Sequence, residues 1–290
     1  TETFNNLTVD KDAVDKATVL WGPIDVDGNV LIDQGDLNSA GFSFPVSGDW
    51  TVNGTSTFTH NNNTITFDGS DAQTIINGSS TSFYNVVMNK TGTAQLSTNT
   101  LKLDNNFTLT SGTLDANTQD IEIKGHWLNN GGIFSGSTAT VTFNGTNTQN
   151  ITSNGATNNT FNSLTMDKLS GTLLLVDTLT MSGDLSLIQG VLDAQTNNAN
   201  IRLQGDWIIG DGSTYGLFYP GTTTVSFFGT GEQSVNKNSL NDVNLNDFSF
   251  YNVRIEGPNV NFYLKSDEYK INIRDLIIMP EKTIKIHYDE

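Results

Sequence analysis

Apolar and polar residues alternate with a period of two in short runs along most of the chain. Examples are the pairs Val86 and Met88, Leu101 and Leu103, Phe107 and Leu109, Ile121 and Ile123, and Val141 and Phe143, with Gly, Asn, Asp and Ser clusters between the runs. This alternation is typical of half-buried β-strands bounded by tight turns. Apolar positions with helical spacing do not extend anywhere over about ten residues without such breakers. The sequence therefore predicts an all-β protein of short strands.

Three landmarks recur in the same order along the chain. The first is a Phe followed three residues later by Leu or Val, at Phe4, Phe83, Phe161 and Phe250. The second is Gly-x-Trp, which ends at Trp50, Trp127 and Trp207. The third is a Thr-x-x-Phe-x-Gly segment with a Gln four residues after the Gly, at Gln73, Gln149 and Gln233. The recurrence predicts modules at 4–82, 83–160 and 161–249 and a partial, charge-rich C-terminal module at 250–290.

Short strands repeated along the whole chain favour a solenoid over separate globular domains. A single coil cannot bury enough apolar area to offset its chain entropy, whereas stacked coils bury one another. We predict one right-handed parallel β-helix over 1–290 with about three and a half modules, in which the landmarks mark equivalent positions in the stack. The alternative is a tandem of β-sandwich domains, one per module of about 80 residues. The absence of linker-like boundaries around the second and third modules argues against it.

The charge balance excludes several classes of partner. Lys and Arg number 14 and Asp and Glu 31, a net charge of -17, so a nucleic-acid backbone or an anionic membrane surface would be repelled. The chain has no Cys, which excludes disulfides and thiolate metal sites. No apolar run approaches the roughly 20 residues of a membrane-spanning helix. We expect no nucleic acid, no membrane insertion and no cofactor.

The residues that could carry catalysis or bind a metal do not form a recognisable constellation. The densest acidic group is Asp25, Asp27, Asp33 and Asp36, whose spacing departs from that of calcium-binding loops. The histidines, His60, His126 and His287, lie in different modules without metal-ligand spacing. We predict no catalytic residue and no metal site, and we interpret both groups as surface or structural.

The recurring tryptophans, Trp50, Trp127 and Trp207, allow two interpretations. Exposed indole rings at one position of each module could form a ladder on which sugar rings stack. Alternatively, each Trp closes the core at the same corner of its module, and the periodic flanking residues Asp49, His126 and Asp206 favour this structural role. A carbohydrate-binding surface made of these three residues therefore remains the second interpretation.

The landmarks Phe-x-Asn-Leu, Ser-Gly-x-Leu at Ser111–Leu114, Gly-x-Trp and Thr-Val-x-Phe-x-Gly resemble repeats of large secreted and cell-surface bacterial proteins. That resemblance implies a parallel β-helix of the adhesin or surface-fibre type. We expect a non-enzymatic, extracellular or cell-surface structural or adhesive element, either a stalk or a subunit of a head-to-tail fibre. Its partners would be further copies of itself, end to end, or surface glycans. A glycan-binding module is the alternative, and a polysaccharide lyase or hydrolase is a third, less favoured class.

Overall fold

A computed structural model describes residues 1–11, 17–153, 159–237, 249–264 and 272–288. The chain divides into two compact units, Thr1–Ala139 and Thr140–Glu290. Within the described ranges both units consist of β-strands and turns without α-helix, so no helix there is long and apolar enough to cross a membrane. The all-β class is confirmed. The prediction of one solenoid over 1–290 with about three and a half modules stays a prediction.

The first unit contains seventeen of the described strands. They are β1 (Glu2–Phe4), β2 (Leu7–Asp10), β3 (Ala17–Val19), β4 (Ile24–Val26), β5 (Val30–Gln34), β6 (Asp36–Asn38), β7 (Phe44–Val46), β8 (Trp50–Val52), β9 (Thr57–Thr59), β10 (Thr64–Phe67), β11 (Gln73–Ile76), β12 (Asn85–Thr98), β13 (Leu101–Leu103), β14 (Phe107–Asp115), β15 (Ile121–Ile123), β16 (Trp127–Asn129) and β17 (Ile133–Ser135).

The second unit contains the remaining fifteen described strands. They are β18 (Thr140–Phe143), β19 (Gln149–Thr152), β20 (Asn159–Phe161), β21 (Ser163–Leu175), β22 (Leu179–Met181), β23 (Leu185–Asp193), β24 (Ile201–Leu203), β25 (Trp207–Ile209), β26 (Gly216–Tyr219), β27 (Thr224–Phe227), β28 (Glu232–Lys237), β29 (Ser249–Ile255), β30 (Asn259–Leu264), β31 (Asn272–Ile278) and β32 (Thr283–Tyr288).

Strands one coil apart pair in parallel, and consecutive strands lie on different sides of the coil. In the first unit β4, β5 and β6 form the three sides of one coil and pair in parallel with β7, β8 and β9 of the next. The second unit repeats the arrangement, for example in the parallel series β22, β24, β27, β29 and β31. Both units are therefore parallel β-solenoids, with about 12 coils in all. The tandem β-sandwich, which requires antiparallel sheets, is excluded.

The core of each unit is made of columns of inward-facing apolar residues. One column of the first unit runs through Val30, Trp50 and Ile75, and another through Val86, Phe107 and Trp127. All of these side chains are almost completely buried. Because the alternating residues of each strand point outward, the inward face stays apolar while the outward face carries Thr, Ser, Asn and charged residues. The period-two pattern in the sequence therefore reflects the alternation of inward apolar and outward polar side chains.

Polar side chains at the corners connect one coil to the next. Asn6 Oδ1 accepts a hydrogen bond from the backbone N–H of Asn29, Asn29 Oδ1 accepts from Asp49, and Asp49 Oδ1 accepts from Thr74, at 2.7–2.8 Å. Asn61 also donates its side-chain amide to Asn38 Oδ1 at 2.6 Å. Asn and Asp are suited to this role because they satisfy backbone donors that the turn leaves unpaired.

Candidate functional site

The three tryptophans proposed as a sugar platform lie in the core. Trp50, Trp127 and Trp207 are each 0% exposed. Trp50 packs edge-on against Phe58, with ring centroids 4.9 Å apart, and lies 5.1 Å from Phe83. An indole with no accessible face cannot stack on a sugar ring, so the exposed ladder is wrong and the core interpretation is confirmed. Burial of so large an apolar surface is what stabilises the indoles there.

The landmark tryptophans also fail to form a column. Trp50 belongs to the column of Val30 and Ile75, whereas Trp127 belongs to that of Val86 and Phe107 on another side of the coil. Paired residues of neighbouring coils are 20 apart at Val30 and Trp50 and 25 apart at Trp50 and Ile75. Coils of this length do not add up to the 77 residues that separate the two tryptophans, so Trp50 and Trp127 cannot fall in the same column. The expectation that landmarks mark equivalent positions in the stack is wrong for this pair.

What the repeat preserves in the first and third modules is an aromatic cluster around the Trp. Trp207 packs on Phe218 at 4.9 Å and on Phe250 at 5.2 Å, which repeats the contacts of Trp50 with Phe58 and Phe83. In both cases the second Phe is the first landmark of the next module. The Trp of one landmark and the Phe of the next therefore pack against each other in the core.

The third landmark, the recurring Gln, fills the corner beside that cluster. Gln73 Nε2 donates to the carbonyl oxygens of Val46 and Gly48, and Gln233 Nε2 donates to those of Leu203 and Gly205. Both side chains are buried. The amide therefore satisfies backbone acceptors that the turn before each Trp leaves inside the protein.

Two buried lysines complete these corners, and the sequence analysis did not single them out. Lys168 Nζ donates to the carbonyl oxygens of Gly145 and Asn147 at 2.5 and 2.9 Å and to Gln149 Oε1 at 2.6 Å. Burial lowers the pKa of Lys168 to about 8. Lys90, which stands at the same place one module earlier, is equally buried, and burial lowers its pKa as well. The available signal was the recurrence of Lys seven residues after Phe83 and Phe161.

A polar cluster on the first unit surrounds Asp104. Ser82 Oγ donates to Asp104 Oδ2 at 2.5 Å, His60 Nε2 lies 3.2 Å from the same oxygen, and Lys124 Nζ donates to Oδ1 at 2.6 Å. Partial burial works against ionisation, but the hydrogen bonds from Lys124, Ser82 and His60 outweigh it and lower the pKa of Asp104 to about 2.

The geometry of the Asp104 cluster differs from that of a nucleophilic triad. A triad needs the serine hydroxyl to donate to the histidine, whereas Ser82 and His60 both contact the carboxylate. A carboxyl group with this pKa is also a poor general base at neutral pH. The cluster connects side chains of successive coils, which is a structural role.

The acidic group of the first module is dispersed among similar contacts. Asp33 Oδ1 accepts from Asn53 Nδ2, and Asp36 Oδ1 accepts from the hydroxyl groups of Thr57 and Thr59. Asn29, which follows Asp25 and Asp27, belongs to the corner series described above. Across the ranges that the structure describes, His, Asp and Glu side chains do not gather in groups of three or more that could hold a metal ion.

The second unit has a polar cavity of about 560 Å³ on its outer surface. Arg202, Ser226 and Arg254 occupy outward positions in register on β24, β27 and β29. Glu256 Oε1 lies 2.9 Å from Arg254 Nε, and its Oε2 lies 3.4 Å from Arg202 Nη2. Asn200 and Thr224 also line the cavity.

The edge strands of each unit form a different type of surface. Among the described strands, β1 pairs only with β4 and β2 only with β5, while β31 pairs only with β29 and β32 only with β30. We refer to β1, β2 and β3 as the N-terminal edge and to β31 and β32 as the C-terminal edge. Each edge has backbone groups that other strands of the described chain do not pair.

No protein-family model matches the chain, and neither does any curated protein or solved structure. The resemblance to bacterial surface proteins thus rests on the quoted sequence landmarks alone. The solenoid repeat architecture is established by the fold. A function must be argued from the surfaces just described.

Proposed function

We propose that this protein is a non-enzymatic structural or adhesive β-solenoid of the extracellular or cell-surface environment, and that copies of it join head to tail. The observation that carries the proposal is the state of the C-terminal edge. There the inward columns of the core continue into residues that nothing in the described chain covers.

Two core columns make the point. Val225 and Val253 are fully buried, yet Leu276, the next residue of that column, is 46% exposed. Phe227 and Ile255 are likewise buried, and the next residue, Ile278, is 44% exposed. Ile286 on β32 is also exposed. A further coil stacked on this edge would continue these columns and remove substantial apolar area from water.

The N-terminal edge offers a matching apolar surface. A concavity of about 420 Å³ is lined by Phe4, Val19, Trp21 and Pro23, among others, and Trp21 is 96% exposed. The strands β1 and β2 carry Glu2 and Asp10 and no basic residue. The strands β31 and β32 carry Arg274 and Lys285 against one acid, Asp275. Opposite charges on the two edges favour contact between unlike edges over contact between like ones.

A second copy is therefore the occupant we propose for the C-terminal edge. Its N-terminal edge would add parallel strands to β31 and β32, in the same way that β31 and β32 pair with β29 and β30. A contact between the C-terminal edge of one copy and the N-terminal edge of the next is heterologous, so it can add copies indefinitely without closing into a ring. An open chain of this kind suits a stalk or fibre. A polar, sparsely charged surface of Thr, Ser and Asn suits an extracellular adhesive role through many weak contacts.

Sedimentation measurements over a wide range of protein concentrations test the assembly. We expect the average mass to rise with concentration. The double variant Ile278→Lys and Ile286→Lys should stay monomeric, because both side chains are exposed in the single chain and would become buried charges in the assembly. Leu169→Lys is the matched control, since Leu169 is an exposed apolar residue away from both edges, and this variant should assemble normally.

Mixing experiments test the head-to-tail order. A second variant, Trp21→Lys with Glu2→Lys, blocks only the N-terminal edge. Each blocked variant alone should be monomeric, and their mixture should stop at heterodimers, in which the one intact edge of each partner is used. A wild type that stays monomeric at all concentrations would overturn the proposal, and so would self-association of either blocked variant.

A further inference from the structure

We propose that the cavity of Arg202 and Arg254 on the second unit binds an acidic glycan through the carboxylate of a uronic-acid sugar. This binding surface is separate from both edges, so it neither requires nor excludes head-to-tail assembly. It would give the solenoid a ligand-recognition role besides its structural one.

The concentration of positive charge at this place is unusual for the chain. The sequence contains only three arginines, Arg202, Arg254 and Arg274, against a net charge of -17. Two of the three line the same cavity. They are 52 residues apart in sequence and are brought together because β24 and β29 both pair with β27. With one acid, Glu256, against two guanidinium groups, these three side chains have a net charge of +1.

Both guanidinium groups are held in place while they remain accessible. The Arg202 guanidinium lies over the ring of Phe228, 4.9 Å from its centroid, and contacts Glu256. Arg254 is fixed by Glu256 and by a contact from its Nη2 to Met279 Sδ. Their side chains are nevertheless 44% and 42% exposed. A guanidinium group held in this way pays little ordering entropy when a carboxylate binds to its free nitrogen atoms.

The neutral groups of the cavity point to a sugar rather than to a bare anion. Asn200, Thr224 and Ser226 supply amide and hydroxyl groups to the cavity, and Ser226 lies in register between the two arginines. Asn200 uses its Oδ1 to accept from the backbone N–H of Thr224 at 2.8 Å, which directs its amide nitrogen away from that contact. Hydroxyl and amide groups pair with sugar hydroxyls, and guanidinium groups pair with carboxylates in a bidentate manner. The volume of about 560 Å³ is within the usual range of small-ligand sites.

The alternative is that the Arg–Glu–Arg group only stabilises the fold. The two possibilities differ in what Glu256 does. If the site binds a carboxylate, Glu256 is the resident counter-ion and competes with the ligand, so its removal should strengthen binding. If the group is purely structural, Glu256→Gln should lower the melting temperature and create no affinity for acidic sugars.

Calorimetric titration with trigalacturonic acid, at a protein concentration where the chain is monomeric, tests the proposal. We expect saturable binding that weakens with salt. Arg202→Gln and Arg254→Gln should each weaken it by about tenfold or more, and Glu256→Gln should strengthen it by about threefold or more. Arg274→Gln is the matched control because it removes the third arginine, which lies over Tyr251 outside this cavity, and its affinity should equal that of the wild type.

Three comparisons decide the outcome. The methyl-esterified trisaccharide should not bind measurably, and inorganic phosphate should bind much more weakly than the acid sugar. Equal binding of the ester would overturn the carboxylate assignment, and equal binding of phosphate would overturn the sugar assignment. The absence of trigalacturonate binding, with circular dichroism showing all variants folded, would overturn the site itself. None of these results bears on the sedimentation test of assembly.

Discussion

The glycine of the Gly-x-Trp landmark is required because the backbone of the preceding coil lies against it. A Cβ placed on Gly205 would lie 2.3 Å from the carbonyl carbon of Gly183, and one on Gly48 would lie 2.5 Å from that of Gly28. Neither glycine has a positive φ, so a left-handed backbone is not what requires glycine there. The backbones of successive coils therefore approach each other too closely at these glycines to admit a side chain.

Gly205→Ala should therefore destabilise the protein by about 1–3 kcal/mol, because backbone atoms must shift to admit the methyl group. Gly231→Ala is the control, since a Cβ at that position would have no neighbour within 4 Å, and its effect should be close to zero. Urea unfolding followed by circular dichroism measures both. Similar losses for the two variants would contradict the packing explanation.

At the scale of the element, the long strands β12 and β21 each hold a buried amine at their bend. Each strand covers two sides of the coil, and its pairing register shifts at the bend between them, between Met88 and Thr93 in β12 and between Met166 and Thr172 in β21. Lys90 and Lys168 stand at these bends. Their ammonium groups bind carbonyl oxygens of the preceding coil, that of Asp71 for Lys90 and the buried one of Gly145 for Lys168.

The corresponding residue in the last module shows why the lysine is not universal. Gly257 lies seven residues after Phe250, where Lys168 lies seven after Phe161. A Cβ on Gly257 would be 2.7 Å from the carbonyl oxygen of Gly229 and 2.9 Å from Gln233 Oε1. These are the counterparts of the Gly145 and Gln149 acceptors that Lys168 binds, so at this corner the chain itself occupies the place of the amine.

The lowered pKa of Lys168 predicts a pH dependence of stability. The folded protein releases this proton at about pH 8, whereas the unfolded chain retains it up to about 10.5. Between these values the unfolded state binds more protons, so this residue's contribution to stability increases as pH rises. The free energy of unfolding of the wild type, measured relative to Lys168→Met, should thus grow from pH 8 to pH 10.

The same pair of proteins gives a second readout at neutral pH. Lys168→Met removes the amine donor to the carbonyl oxygens of Gly145 and Asn147 and one of the two donors to Gln149 Oε1. The variant should cost about 1–3 kcal/mol. Lys282→Met, which removes an amine outside the core, serves as the control for both measurements. Parallel pH curves for wild type and Lys168→Met would show that the buried amine does not control this dependence.

At the scale of the whole molecule, protection from solvent should be uneven among coils. In a repeat protein each coil is stabilised by its neighbours, so an edge coil with one neighbour opens more easily than an internal coil with two. The edge strands β1, β2, β31 and β32 each pair with one described strand, whereas β24 pairs with two.

Hydrogen exchange should report both this difference and the proposed assembly. In dilute solution the amides of β31 and β32 should exchange faster than those of β24. At high concentration the edge strands of both units should become protected while β24 is unchanged, because assembly pairs only the edges. Uniform changes, or none in the edge strands, would count against head-to-tail contact.

The prediction of the fold from sequence succeeded where it used local pattern. Alternation at pairs such as Ile121 and Ile123 identified strands, and recurrence of landmarks identified a stacked repeat. For the tryptophans it favoured the core interpretation but left the binding surface open, because a large aromatic residue has the same signature whether it is exposed or buried. It also missed Lys90 and Lys168, since a basic residue between two strands is ordinarily at the surface.

The sequence by itself therefore determined the strands, the parallel stacking class and the residues that recur, because each depends on side chains only a few positions apart or on a regular period. The tertiary structure decided which side of the coil each landmark occupies, which lysines are buried and which arginines meet. These depend on the summed lengths of successive coils, 20 residues in one place and 25 in another. Small local differences in turn length accumulate along the stack, so Trp50 and Trp127 lie on different sides and Arg202 comes to lie near Arg254.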